Sequence, residues 1–387
     1  MYSAAFFQFI EENLQSDPAQ LALKHKPSSV FDSKWAIEQI HCLQKAKHKL
    51  PTWFEKRCVF TRRALEQSTA EEVARFKAGL MKGELLVDLS GGLGVDDWAF
   101  SSSFKQVWSV DVDEELNTLV RYNWEKLGIQ NAQRFQAQAE TMLEQIPMHS
   151  TVYIDPDRRD GKSRKFLLEE CAPNVLELLP VLQQKKCKVY IKVSPLFEAT
   201  ELERKLKGVA RIFAIAHHNE MKELLVEVLP EFNSEVQRIA VNLNDQGIQY
   251  FEGEGTSMPG VSQGEESWFF EPNVALIKLK LWKTYAGKAG LSYLHPETPY
   301  LVGSAPIENF HGRQMKVFAL LEGNLKQVLN YLQQQGIQKA NLAERNAGTG
   351  VEELKKRLKL KDGGEDYFFF LRNPEGKMLC VHCRREK

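Results

Sequence analysis

Asp88 ends an apolar run and is followed at once by Ser90, Gly91, Gly92 and Gly94, while a second acid, Asp111, closes the next apolar run, Val107 to Asp111. From Leu85 to Asp97 the chain reads LLVDLSGGLGVDD. Apolar residues, an acid and a short Gly and Ser run before new periodicity describe a buried strand that turns abruptly into a helix. Glycine has no Cβ, so the turn can be tight and its backbone can approach a ligand closely. A carboxylate at the C-terminal end of a strand faces the crevice of an α/β sheet, so Asp111 is placed to accept both hydroxyls of a ribose. The chemistry indicated is nucleotide-cofactor binding. The dinucleotide fingerprint GxGxxG is excluded, because after Gly92 and Gly94 the third position is Asp97.

A second polar group follows a later apolar run, in Tyr153-Ile154-Asp155-Pro156-Asp157-Arg158-Arg159-Asp160. Its carboxylates can orient a group or take a proton, and its guanidinium groups can bind phosphate bidentately. The competing reading of Asp157 to Asp160 is a charged surface turn whose ions pair with each other. His217 and His218 lack further ligands at metal spacing and read as a hairpin tip. Cys380-Val-His-Cys383 is a lone CxxC, half of a zinc site, so no metal is expected.

The elements that must position these residues alternate from Gly83 to about Pro230. Strands are expected at Leu85 to Leu89, Gln106 to Val110, Gln133 to Ala137, Thr151 to Ile154, Lys188 to Val193, Val209 to Ile215 and Glu223 to Leu229. Strand and helix in alternation give a parallel sheet with right-handed crossovers. The last two strands are joined by His217-His218-Asn219-Glu220, too short for a crossover helix, so they pair antiparallel. Residues 1 to 64 read as helices. Ser68-Thr-Ala-Glu71 has capping-box spacing for a helix through Met81. Beyond Pro230 the pattern changes. Trp268 to Leu281 leads from a strand into a helix with Asn273 as its cap. An α/β unit then runs from Met315 to the end, and Gly363 and Gly364 are expected to cap the helix that starts at Gly350.

Acid, glycine loop, helix, strand, acid is an order that resembles class I S-adenosylmethionine-dependent methyltransferases. Asp88-Leu-Ser90-Gly91-Gly92-Leu-Gly94 follows their D/E-x-G-x-G-x-G, with Ser90 at the first glycine. The resemblance implies a Rossmann-like sheet of five parallel strands plus an antiparallel hairpin. It also implies S-adenosylmethionine as cofactor, held by Asp88, Ser90, Gly91, Gly92, Gly94 and Asp111, with Gln138 on the adenine edge where the family usually has Asp. Asp155-Pro156 matches the start of the family's D/N-P-P-Y/F, but Asp157 and Arg158 do not. Asp155 would then orient the acceptor, Asp157 remove its proton and Arg158 bind phosphate. Lys192-Val-Ser-Pro195 supplies no nucleophilic cysteine, which removes the route used by uridine C5 methyltransferases. Glu271-Pro-Asn273, Lys339-Ala-Asn-Leu with Arg345-Asn346, and Glu353 to Gly364 resemble a bacterial group carrying a ferredoxin-like segment and a THUMP-like domain. Four divisions follow: helical 1–64, methyltransferase 65–230, ferredoxin-like 231–314 and THUMP-like 315–387.

At 387 residues and 43% hydrophobic, the chain can build several cores. Lys plus Arg equals Asp plus Glu at 51 each, so any surface for a polyanion must be local. From Gly336 onward there are 12 Lys or Arg against 8 Asp or Glu, and Lys355, Lys356, Arg357 and Lys359 crowd one segment that either neutralises RNA phosphates or is a solvated helix face. No apolar stretch approaches the ~18 residues of a membrane span, and the N-terminus lacks a basic n-region. A cytoplasmic location is expected. The expected function is methylation of a base in structured RNA, tRNA or rRNA. A protein or small-molecule acceptor, and a non-catalytic RNA-binding scaffold, are the alternatives.

Overall fold

Leu86 and Val87, both fully buried, lie on the middle one of the five parallel strands in the sheet that organises the first half of the chain. The computed structural model describes residues 2–24, 28–158, 168–253, 258–262, 264 and 266–385. It divides into two compact units, residues 1–212 with 224–236, and 213–223 with 237–387.

In the first unit, helices α1 (Ala4–Asn13), α2 (Pro18–Lys24), α3 (Ser33–Lys49), α4 (Pro51–Glu55), α5 (Arg62–Gln67) and α6 (Glu71–Leu80) precede the sheet. Then come β1 (Gly83–Asp88), α7 (Val95–Phe100), β2 (Phe104–Asp111), α8 (Glu114–Leu127), β3 (Ala132–Gln136), α9 (Ala139–Met142) and β4 (Thr151–Ile154). A two-residue ribbon, β5 (Asp157–Arg158) with β6 (Cys171–Ala172), leads to α10 (Val175–Gln184), β7 (Lys188–Val193), α11 (Ala199–Lys205), β8 (Val209–His217) and β9 (Glu220–Val228), of which residues 213–223 are counted with the second unit. The strand order is β8-β9-β7-β4-β1-β2-β3. Strands β3, β2, β1, β4 and β7 run parallel and β9 is antiparallel to β7, as the alternation and the short β8–β9 connection require. At that connection His218 and Asn219 both have positive φ, 49° and 60°, the backbone of a tight two-residue hairpin turn that Asn tolerates. Every residue of β4 is buried, as befits the middle of a sheet covered on both faces.

Two local expectations are corrected. The capping box at Ser68 does not form: Ala70 is the N-cap of α6 without a side-chain bond. Ser68 Oγ instead donates to the Leu65 carbonyl, and the Glu71 carboxylate accepts from Thr52 N–H at 2.9 Å and Thr52 Oγ at 2.5 Å. A tertiary partner has outcompeted the local one.

The second unit holds the antiparallel pair β10 (Gln237–Asn244) and β11 (Gly247–Glu252), then β12 (Gly260–Val261), β13 (Trp268–Pro272), α12 (Val274–Lys278), α13 (Trp282–Lys288), β14 (Ser292–Tyr293) and β15 (Leu301–Gly303). It ends with β16 (Gly312–Gly323), α14 (Leu325–Gln334), β17 (Asn341–Glu344), α15 (Val351–Leu358), β18 (Asp366–Arg372) and β19 (Met378–Arg384). Asn273 caps α12 as expected, accepting from Leu276 N–H. The second correction is at α15, which is closed by Lys359 in the left-handed region at φ 55°, ahead of the two glycines. Strands β12 to β19 form one sheet in the order β12-β14-β15-β13-β16-β19-β18-β17. Alternation in its last strands feeds two cores: Phe369, Leu371, Val381 and Cys383 pack with Phe269 and Tyr300, while Phe368, Phe370 and Cys380 pack with Val328, Leu332, Leu354 and Leu358. Cys380 and Cys383 therefore point to opposite faces and cannot ligate one ion.

Candidate cofactor and acceptor site

The carboxyl ends of β1, β2 and β4 bring the glycine loop, Asp111 and Asp155 together. Asp88 is only 2% exposed and turns back onto its own loop, accepting from Ser90 N–H at 2.7 Å and from Ser90 Oγ–H at 2.8 Å. Ser90 Oγ in turn accepts from Asp155 N–H at 2.6 Å. A glycine here would lack this hydroxyl, so Ser90 joins the loop to the end of β4. A Cβ on Gly91 would lie 2.2 Å from Ser109 Oγ and 2.3 Å from Arg134 Nη1, so the protein's own packing demands that glycine. Gly92 differs. Its φ is +49°, and an added Cβ would meet only Ser90 O, at an ordinary 3.7 Å, so the turn and not the packing calls for glycine and the backbone stays accessible to close approach.

At the rim, Asp111 accepts from Gly92 N–H at 2.9 Å through one oxygen and from Asp113 N–H at 3.0 Å through the other. Its side chain keeps 17% exposure, and each oxygen has a lone pair to spare. Gln138 is exposed, at the N-cap of α9, with its side chain making no capping bond. A glycine turn, a partly exposed carboxylate with spare acceptor capacity and an exposed amide that makes no cap bond fit a ribose-bearing, adenine-bearing cofactor.

Beneath the loop lies a polar network that the sequence reading missed. Arg134, whose side chain is fully buried, donates to Asn117 Oδ1 at 2.6 Å, Ser109 Oγ at 2.7 Å and the Gly92 carbonyl at 2.7 Å. It lies 3.6 Å from Asp97 and 3.5 Å from Asp111. The signal for it was an arginine at the centre of a short strand, a position that needs buried acceptors once the strand is packed. Asp97 accepts from Ser109 Oγ and lies close enough to Asp88 for the two acids to disfavour each other's charge. Burial, and then Asp97 beside it, push Asp88 well above the usual carboxylate range. Burial raises Asp97 to about 6 against the pull of Arg134 and Ser109. A second buried group ties α6, α7 and β4: Asp96 accepts from Thr69 Oγ at 2.9 Å, Lys77 Nζ at 3.0 Å and Tyr153 OH at 3.0 Å, and Lys77 is fully buried. Burial works to raise Asp96, but Lys77 and Lys192 hold it below its ordinary value.

At the end of β7, Lys192 donates to Asp155 Oδ2, a pairing not anticipated from sequence. Asp155 retains 35% side-chain exposure. Asp157 is exposed and accepts from Gln67 Nε2 at 3.1 Å. The backbone of Arg158 pairs with Cys171, whereas its side chain, together with Arg159 and Asp160, lies outside the described residues. In the second unit, Lys355 pairs with Glu352 at 2.9 Å and Asp362 at 2.8 Å, and Arg357 with Glu353 at 2.5 Å. Lys356 and Lys359 are exposed.

Sheet order and loop together define a Rossmann-like class I methyltransferase fold. More particularly, residues 312–385 match the family model described as THUMP domain-like. The chain is 26% identical over 332 residues, 84% of its length and 89% of theirs, to uncharacterized S-adenosylmethionine-dependent methyltransferases from two strains of Mycobacterium tuberculosis. Its fold superposes with a TM-score of 0.85 on a candidate methyltransferase from Porphyromonas gingivalis W83, at 25% identity over 99% of this chain and 98% of the other. The first unit thus has the fold of class I methyltransferases, and the C-terminal residues match a THUMP-like domain.

Proposed function

We propose that this chain is an S-adenosylmethionine-dependent methyltransferase whose acceptor is a base in structured RNA. The observation that carries the cofactor is the left-handed, side-chain-free turn at Gly92 beside the partly exposed carboxylate of Asp111. The name given to the Mycobacterium tuberculosis relatives supports the same donor, and the THUMP-like match supports RNA. Asp111 would receive the ribose hydroxyls, Gln138 the adenine edge, and the Gly91 to Gly94 backbone the close approach. When bound, the sulfonium supplies an activated methyl group with a good leaving group. Asp88, buried, acts through Ser90: it fixes the loop and the start of the Asp155 segment in one geometry, which is where positioning-driven rate enhancement originates. Asp155, held by Lys192, orients the acceptor, and Asp157, exposed nearby in sequence, takes its proton. Arg158 and the exposed Lys356, Lys359 and Arg357 serve phosphates, with Lys355 and Arg357 reaching RNA only by exchanging acidic partners. Nucleoside mass spectrometry of tRNA and rRNA from cells with and without the gene tests this. Loss of one methylated nucleoside, restored by the wild-type gene and not by Gly92→Val, is expected; identical profiles in all RNA fractions would remove RNA as substrate.

A further inference from the structure

Glu271 was singled out by its Glu-Pro-Asn context, and the proposed catalytic site leaves it unused. It lies on β13 in the second unit, with a side chain 10% exposed. Two arginines converge on it from different strands. Arg313, its register partner on β16, donates through Nε to Oε2, and Arg345, just past β17, approaches Oε1 with Nη2 at 3.5 Å. Arg345 also hydrogen-bonds to Tyr300, which is 1% exposed. Each guanidinium lies against an aromatic ring: Arg313 is 5.3 Å from the centroid of Phe369, and Arg345 is 5.6 Å from that of Tyr300. Their side chains remain 35% and 36% exposed.

A single glutamate neutralises one arginine, so this cluster carries a net positive charge. It is also rigid. A guanidinium fixed by a buried carboxylate and an aromatic face has little rotamer freedom left to lose when it binds, and its remaining N–H groups form a planar fork. Among the described residues, the Arg313 side chain hydrogen-bonds to Glu271 alone. Two forks presented side by side suit a tetrahedral dianion or diester, whose oxygens accept from both. A carboxylate ligand offers fewer acceptors than the two forks can fill.

We propose that Arg313 and Arg345, set by Glu271, form a phosphate-binding site that takes a backbone phosphate of RNA. The site rests on the RNA reading given above for its source of phosphate, and on the side-chain geometry alone for its chemistry. It differs from the α15 cations, because its charges are held in excess of their acid and those of Lys355 and Arg357 are not.

Two probes keep these apart. Inorganic phosphate, followed by 31P line broadening on the full chain, tests the site: broadening in the wild type that is absent in Glu271→Gln/Arg313→Gln/Arg345→Gln is expected. That triple variant removes the buried charge together with its partners, and Arg345→Lys, which keeps the charge and loses the fork, covers the case in which it does not fold. No broadening in the wild type, or equal broadening in folded variants, overturns the site. A fluorescein-labelled tRNA transcript tests the source. The variants should bind at least tenfold more weakly near physiological salt, with log K against log salt about one unit shallower for one lost phosphate contact, and with unchanged affinity for S-adenosylhomocysteine. Phosphate binding lost in the variants with transcript affinity and salt slope unchanged overturns RNA as the source. A wild type that binds phosphate but no transcript fails the RNA reading itself and leaves the anion site standing.

Discussion

At Gly92 the backbone is left-handed, and a Cβ there would meet only the Ser90 carbonyl oxygen, at 3.7 Å. A valine there meets two separate obstacles, about 1–2 kcal/mol of backbone strain and a side chain standing where the cofactor is proposed to bind. Gly92→Val should therefore reduce affinity for S-adenosylhomocysteine by more than tenfold in isothermal titration while the chain still folds; unaltered affinity would place the cofactor elsewhere. Ser90→Ala tests the tie beneath it. Asp88 loses a donor and Asp155 N–H loses its acceptor, a cost of about 1–3 kcal/mol for groups left unsatisfied, to be read from urea unfolding. Asp97 gives a pH dependence of definite sign. Its carboxyl is raised to about 6 in the native protein and titrates near the ordinary ~3.9 when unfolded. Between those values the native state holds more protons, so the contribution of Asp97 to stability is full at low pH and is lost as pH rises through about 6. The stability difference between wild type and Asp97→Asn should shift across that window; a difference independent of pH contradicts the assignment.

The β-α alternation and the glycine turn were readable because each is local: apolar runs, residues without Cβ and a short β8–β9 link determine their own conformations. Lys188–Val193 and Thr151–Ile154 are strands at the expected bounds for this reason. What could not be read is what depends on partners far along the chain. Ser68 and Glu71 have the spacing of a cap, yet Thr52 takes the glutamate. Arg134, Lys77 and Lys192 look like ordinary strand and helix cations until three elements close over them. Lys359 closes α15 although glycines follow, because the chain turns as soon as Leu360 has a core to enter. The candidate site divides the same way: Gly92 and Asp111 are local, the Asp88–Ser90–Asp155 tie is not. Lys77 ties α6 to α7 and β4, so Lys77→Met should cost about 3–5 kcal/mol by leaving Asp96 buried without its cation. The double change Lys77→Met/Asp96→Asn should recover part of that loss in chemical denaturation, and a fully additive result would show that the pair does not act as one.

Across the whole molecule, cofactor binding and folding are linked. S-adenosylhomocysteine at about a hundred times its dissociation constant should stabilise the wild-type chain by ~2.7 kcal/mol, seen as a raised melting temperature, and should leave Gly92→Val where it was. Among the described residues, no helix is long and apolar enough to cross a membrane. None of the six cysteines is in a disulfide and all are buried, four in the first unit and Cys380 and Cys383 in the second. Burial pushes the thiols of Cys42 and Cys58 up to about 12, and raises those of Cys380 and Cys383 far above the ordinary thiol range. Alkylating reagents thus find nothing to react with until a unit opens. Because Cys380 and Cys383 face different layers of one strand, a maleimide pulse resolved by peptide mapping works as a pair of stopwatches, timing how often each side of the β19 sheet exposes itself while the rest of the chain stays shut.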